Sequence, residues 1–173
     1  EQHREPWWDS PYGEADRLGA VNNLSPEGVK RASDLVRTGK VYTLGDKDGS
    51  TNLLCIDAAG GKLLWKSRVG KELAEKDGKP KDWWGNRATP STDGKLVFAL
   101  APLGELVAFE CATGKEVWRK HLVDEFGGQV GYWDYSESPL IDGDLVAVIA
   151  GGSKGAVLAL KKDSGQPVWQ SKE

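Results

Sequence analysis

A chain of 173 residues is long enough to bury a substantial core, and its 23 basic and 26 acidic side chains leave a formal net charge of −3. That balance, with no basic run interleaved with aromatics, excludes an electrostatic nucleic-acid binder, and no apolar stretch approaches the roughly 20 residues that span a bilayer. The 22 glycines, where average usage gives about 12, stand with eight tryptophans and no methionine. The glycines imply many turns and an all-β architecture, and the missing initiator implies a trimmed or incomplete start.

The opening segment reads as helix. Ser25 suits an N-cap, Pro26 the first helical position, and Glu27 the positive end of the helix dipole. Val29, Ala32, Leu35 and Val36 share one helical face, Arg37 sits in the last turn, and Gly39 supplies the stop. Residues 1–39 are therefore predicted as a segment with one short helix, separate from residues 40–173.

From residue 40 onward a pattern repeats. Cys55-Ile56-Asp57-Ala58-Ala59-Gly60-Gly61-Lys62-Leu63-Leu64-Trp65 is the first copy of an eleven-residue block. Ala108–Trp118 is the second and Ala159–Trp169 the third, with Gly114 and Gly165 in the place of Gly61. The tryptophans lie 53 and 51 residues apart (65 to 118, 118 to 169). Upstream of the last two copies, Thr89–Val97 and Ser138–Val146 form a second shared block. Its Asp93-Gly94 and Asp142-Gly143 pairs are hairpin signals, because aspartate forms an Asx-turn and glycine accepts positive φ.

Each unit then reads as four antiparallel strands: a short one at the proline, then Leu96–Leu100 or Leu145–Ala150, then Leu106–Glu110 or Ala156–Lys161, then the tryptophan strand. Four strands per repeat of about 50 residues make one propeller blade. The prediction is a partial β-propeller of about three four-stranded blades, at about 40–86, 87–135 and 136–173. Gly39-Lys40-Val41-Tyr42 aligns with Gly94-Lys95-Leu96-Val97, so the first blade is expected to lack its innermost strand. Blades bury their faces only against neighbours. Trp65, Trp118 and Trp169, at a fixed place in every copy, are accordingly predicted as structural docking residues, with Gly61, Gly114 and Gly165 in the turns before them.

The eleven-residue block, with Arg87–Gly94, Gly114–Gly128 and Tyr135–Gly152, resembles the pyrroloquinoline-quinone-type (PQQ-like) propeller repeat over about residues 40–173. The pattern departs at its acidic third position, Asp57 and Glu110 but Lys161, which is read as tuning turn geometry. Pro6–Gly13, Asp16–Asn23 and the helix end through Tyr42 resemble instead the N-terminus of the cyclase-family hydrolases, the group of the kynurenine formamidases. That resemblance implies metal-dependent hydrolysis through an H-x-G-T-H-x-D motif. The chain holds only His3 and His121, neither in such a context, so no residue takes over that chemistry. The two resemblances meet around Gly39–Gly45, and a fusion or recombination product is expected.

No phosphate loop, nucleophile elbow or zinc motif is visible, and no catalytic, cofactor-binding or metal-ligating residue is assigned. Cys55 and Cys111 have no metal spacing and are read as small buried or turn residues. Lys71–Lys81 is read as a solvated charged loop. The candidate partner rim consists of loop aromatics and charges ahead of the opening strands of blades two and three. These are Trp83, Trp84 and Arg87, and Tyr132, Trp133, Tyr135 and Glu137.

The function expected is a non-catalytic binding or scaffold module, a fragment of a longer protein, with a protein or small ligand at that rim. The missing blades would come from a parent chain or a second copy. The alternatives are a fragment of a quinoprotein dehydrogenase and a cyclase-family remnant without its metal site. The dehydrogenase resemblance implies a quinone stacked between a tryptophan and a disulfide of adjacent cysteines, beside calcium. Cys55 and Cys111 are not adjacent, so no cofactor is assigned. The PQQ-like resemblance further implies a periplasmic or secreted location.

Overall fold

The computed structural model describes residues 39–72, 75–76, 79–80 and 86–171. The helix predicted ahead of Gly39, almost all of the cyclase-like segment, and Trp83 and Trp84 lie outside the described residues. Among the described residues three antiparallel sheets of three or four strands and one two-stranded hairpin succeed one another along the chain, the strands within each pairing in sequence order. β1 (Lys40–Lys47), β2 (Ser50–Asp57) and β3 (Leu63–Lys71) form the first. A hairpin, β4 (Glu75–Lys76) with β5 (Lys79–Pro80), stands where the sequence predicts only a charged loop. β6 (Ser91–Thr92), β7 (Leu96–Leu100), β8 (Glu105–Glu110) and β9 (Glu116–His121) form the second sheet. β10 (Leu140–Asp142), β11 (Leu145–Ile149), β12 (Val157–Lys161) and β13 (Pro167–Gln170) form the third. Among the described residues the first sheet has no counterpart of β6 and β10, and the residues ahead of β1 where one would lie are outside those described.

Turn chemistry sets the strand ends. Lys47 pairs with Ser50 across Asp48 and Gly49, at φ +54° and +73°, the two positive values that a type I′ turn needs. At the start of β7 the Asp93 carboxylate accepts from the Lys95 and Leu96 amides at 2.9 and 2.8 Å, the Asx-turn read from the sequence.

The predicted alignment of the first blade is displaced by one residue. Tyr42 pairs with Cys55 and Cys55 with Trp65, whereas Phe98 pairs with Ala108 and Ala108 with Trp118. Tyr42 is thus the counterpart of Phe98, not of Val97. Strand side chains alternate with period two, so the displacement exchanges the faces of β1. It puts Tyr42 and Leu44 against the second sheet and leaves Val41 48% exposed.

The second sheet is apolar on both faces because both are covered. Leu96, Phe98, Leu100, Leu106 and Ala108 pack with Val146, Val148, Leu158 and Leu160 of the third sheet. The alternate residues Val97, Ala99, Val107 and Phe109 pack with Leu53 and Val69 of the first. This accounts for the unbroken apolar run Leu96–Leu100, every residue of which is buried.

A polar contact also spans the second and third sheets, where Lys162 Nζ lies 3.1 Å from the Asp93 carboxylate. Burial acts to raise the Asp93 pKa, but the two amide hydrogen bonds and Lys162 outweigh it, and the carboxyl titrates below its ordinary range. A depressed native pKa contributes stability above the unfolded value of about 3.9, lost as pH falls through the native value. D93N is therefore expected to cost about 1–2 kcal/mol at neutral pH in urea unfolding. Its deficit relative to the parent should shrink below about pH 4. A deficit independent of pH would contradict this assignment.

The one helix among the described residues, α1 (Leu122–Phe126), joins the second and third sheets and is absent from the sequence prediction. His121, read there as a lone histidine, is its N-cap. Its ring nitrogen accepts from the Asp124 amide at 3.4 Å, while its own amide donates to Glu125 at 2.8 Å. Gly127 at φ +68° ends the helix, and Leu122 and Phe126 are buried in the core between the second and third sheets.

Candidate functional site

The eleven-residue block makes the same local structure three times. The amide of its third residue donates to the carbonyl five positions on: Asp57 to Lys62, Glu110 to Lys115, Lys161 to Gln166, at 2.8–2.9 Å. The carbonyl of that residue accepts from the turn glycine, Gly61, Gly114 or Gly165, also at 2.8–2.9 Å. The side chain at this position is secondary, which is why lysine is tolerated. Asp57 additionally caps the Gly60 amide at 2.7 Å, and Glu110 accepts from Thr113 at the same distance.

Trp65 and Trp118 then each dock on the turn of the next sheet in the series. Trp65 Nε1 donates to the Cys111 carbonyl at 3.3 Å, and Trp118 Nε1 to the Lys162 carbonyl at 2.8 Å, the equivalent position one sheet later. The indole rings of Trp65 and Trp118 cover the turn glycines. A Cβ on Gly114 would sit 2.6 Å from Trp65, and one on Gly165 2.8 Å from Trp118. Position in the series sets the burial: Trp118 is 8% exposed, whereas Trp169, with no described sheet beyond it, is 47% exposed. Gly114 and Gly165 are buried, while Gly61 is exposed with no described atom within 4 Å of its notional Cβ.

Cys55 and Cys111 are free and buried, on β2 and in the β8–β9 turn. The Cys111 carbonyl also accepts from Tyr42 at 3.3 Å and Lys40 at 3.1 Å, so it is the meeting point of the first and second sheets. Burial, then the hydrogen bond and charge of Cys111, push the Tyr42 pKa up, and burial raises that of the Cys55 thiol. Neither group is poised to ionise near neutral pH.

The structure brings part of the predicted rim together. Arg87, just before β6, places its guanidinium carbon 4.8 Å from the Trp133 ring centroid, so the two corresponding loops meet. Tyr132 stands edge-on to Trp133 with centroids 4.9 Å apart. Tyr132 is 77% and Trp133 51% exposed. Asp134, at φ +63°, turns the chain immediately afterwards.

Tyr135 departs from the expected rim. It is buried in the core between the second and third sheets and donates its hydroxyl to the Ala150 carbonyl at 2.6 Å. Its amide donates to the Pro102 carbonyl at 3.1 Å, and its ring lies where a Cβ on Gly104 would be. Burial and the neighbouring Glu137 charge push its pKa up to about 12. It bolts the two sheets together and presents nothing outward. Glu137 is half-buried: one carboxylate oxygen accepts from the Ser136 amide at 3.2 Å, and the other is buried with no hydrogen-bond partner.

Among the described residues no three of His, Cys, Asp and Glu are grouped to hold a metal, and no helix is long and apolar enough to cross a membrane. The quinone stack implied by the dehydrogenase resemblance requires adjacent cysteines. Cys55 and Cys111 stand on separate sheets, so these residues do not fit it.

Over 146 residues, 81% of its length, the chain is 30% identical to quinoprotein alcohol dehydrogenase PedH of Pseudomonas putida. Over 112 residues, 62% of its length, it is 25% identical to outer membrane protein assembly factor BamB of Yersinia pestis. The chain spans only 22% and 25% of the length of these two relatives. Among solved structures it resembles quinohemoprotein alcohol dehydrogenase from Comamonas testosteroni, with a TM-score of 0.57 at 22% identity, covering 78% of this chain and 19% of that one. At that identity the likeness shows the fold, a β-propeller. The resemblance of residues 6–42 to cyclase-family hydrolases finds no support in these comparisons. A PQQ-like repeat is matched over residues 49–173, where the tryptophan–turn contacts also recur, and the chain belongs to the PQQ_2 family, described as outer membrane protein assembly factor BamB.

Proposed function

We propose that residues 40–173 are a non-catalytic binding or scaffold portion of a PQQ-like propeller, and that Arg87, Tyr132 and Trp133 form its partner-binding rim. Residues 1–39 are a separate segment in this reading. The observation that carries it is the exposed cluster of Arg87, Trp133 and Tyr132, in which loops ahead of two successive sheets meet. Aromatic and arginine side chains of this kind dominate the energetics of protein interfaces, and loops on a rigid scaffold are where binding is placed. The relative named an outer membrane protein assembly factor makes a protein partner and a periplasmic setting the favoured case.

The test uses a panel of random extended peptides selected on the parent chain. W133A or R87A is expected to weaken the selected peptides by about 30-fold or more, equivalent to roughly 2 kcal/mol, with unfolding curves unchanged. Equal binding by both variants would remove the rim.

The 30% identity to PedH supports a second reading, a portion of a quinoprotein dehydrogenase. Incubation with pyrroloquinoline quinone and calcium separates the two. A scaffold retains no quinone absorbance after desalting and reduces no dye with ethanol. Retention of both signals would favour the dehydrogenase.

A further inference from the structure

Arg87 is exposed, but its backbone is fixed on both sides. The Asn86 side chain donates to the Leu100 carbonyl at 3.0 Å and accepts from the Ala88 amide at 2.8 Å, and Ala88 is buried. The loop that carries Trp133 is fixed as firmly, because Tyr135, two residues on, is buried in the core between the second and third sheets. Two residues beyond Arg87 the loops are joined directly. The Thr89 amide donates to the Ser138 hydroxyl at 3.0 Å, and the Ser91 hydroxyl to the Pro139 carbonyl at 2.5 Å. The guanidinium therefore meets the Trp133 ring from one pinned backbone to another.

Its charge is not answered within the fold. Among the described residues Arg87 makes no ion pair, although Asp134 and Glu137 stand in the same loop as Trp133. Arg119, by contrast, is consumed internally, donating to the Val69 and Arg68 carbonyls and to Glu116. Nor does the repeat require an arginine here. Aligning Thr89-Pro90 with Ser138-Pro139 sets Arg87 against Ser136, so the same entry into an opening strand is made with a serine.

Resting on the reading of this rim as a partner site, we propose that Arg87 makes it selective for a carboxylate. The partner is an extended acidic peptide whose Asp or Glu pairs with the guanidinium, while a neighbouring side chain packs on Tyr132 and Trp133. Arginine can hold a carboxylate through two parallel N–H donors while its planar charge stays against an aromatic ring. With both backbones pinned, little further ordering is needed when the anion arrives. Arg87 is the one cation among the described rim residues, and a single guanidinium matches one carboxylate in charge. A phosphate, carrying about −1.5 to −2, would instead meet one cation beside the acidic residues of the Trp133 loop.

The test takes peptides selected on the 173-residue chain and measures each beside a copy in which Asp and Glu are replaced by Asn and Gln. The amide copies are expected to bind the parent chain about tenfold or more weakly. On R87A the acidic and amide forms should bind equally, because the group that tells them apart is gone. R87K keeps the charge but not the two-donor fork, and should recover only part of the lost discrimination. Amide copies that bind the parent as tightly as the acidic peptides overturn the carboxylate assignment. So does a phosphopeptide that outcompetes its carboxylate counterpart. In both cases the rim itself stands if W133A still loses binding. Full binding by W133A and R87A, or a panel that yields no binder, overturns the rim and the assignment together.

Discussion

Truncation of Trp118 to alanine is expected to lower the unfolding free energy by about 3–5 kcal/mol, the range for deleting a large buried aromatic side chain. Three separate losses combine at this residue. Its ring leaves the core between the second and third sheets, where it lies 5.9 Å from Phe98. The Lys162 carbonyl loses the 2.8 Å donor that ties the third sheet's turn to the second sheet. Gly165, at φ +68°, loses the ring that covers it. W118F restores apolar volume without the donor, so its cost should be smaller by more than the hydrogen bond alone, which contributes about 0.5–1.5 kcal/mol. Urea unfolding followed by circular dichroism measures both. A loss under about 1 kcal/mol for W118A would mean that the docking contact does not hold the sheets together.

The second large effect is expected at Gly114. An alanine there meets two obstacles: the left-handed conformation at φ +71°, costing about 1–2 kcal/mol, and overlap with the Trp65 ring and the Ser67 hydroxyl at 2.6 and 2.8 Å. Overpacking of this kind costs roughly 1–3 kcal/mol, so the total is about 2–5 kcal/mol. Gly61 provides the internal control, because it shares the backbone geometry but has no described neighbour at that position. G61A should carry only the backbone cost of about 1–2 kcal/mol. Equal losses for G114A and G61A would show that backbone strain alone sets the turn.

The repeat is legible in the sequence because its punctuation is chemical. Asp-Gly pairs, positive-φ glycines and evenly spaced tryptophans each answer to a local geometric need, and the predicted strands of the second and third sheets lie within a residue or so of those observed. Two features escape the sequence for physical reasons. The register of the first sheet differs by one position from the alignment because Gly39-Lys40 imitates Gly94-Lys95, while the facing of a strand depends on its partner, here Cys55 opposite Tyr42. Helix α1 is a five-residue turn, too short for apolar periodicity, and its signal is carried by capping alone: acidic residues at Asp124 and Glu125 and then Gly127. At the rim, the corresponding places of the two loops in the repeat are enough to anticipate that Arg87 and Trp133 approach each other. Nothing local distinguishes Tyr135 from Tyr132, since the difference between bolt and rim lies in which side of the loop the sheets cover.

The double covering of the second sheet has a consequence for how damage spreads. In a stack of repeating units, stability is a sum of intrinsic terms and nearest-neighbour couplings. Among the described sheets the second enters two couplings, and the first and third are each seen to enter one. A lesion in β7 or β8 therefore uncouples the first and third sheets from each other, whereas a lesion in β1 or β13 leaves the contact between the other two described sheets in place.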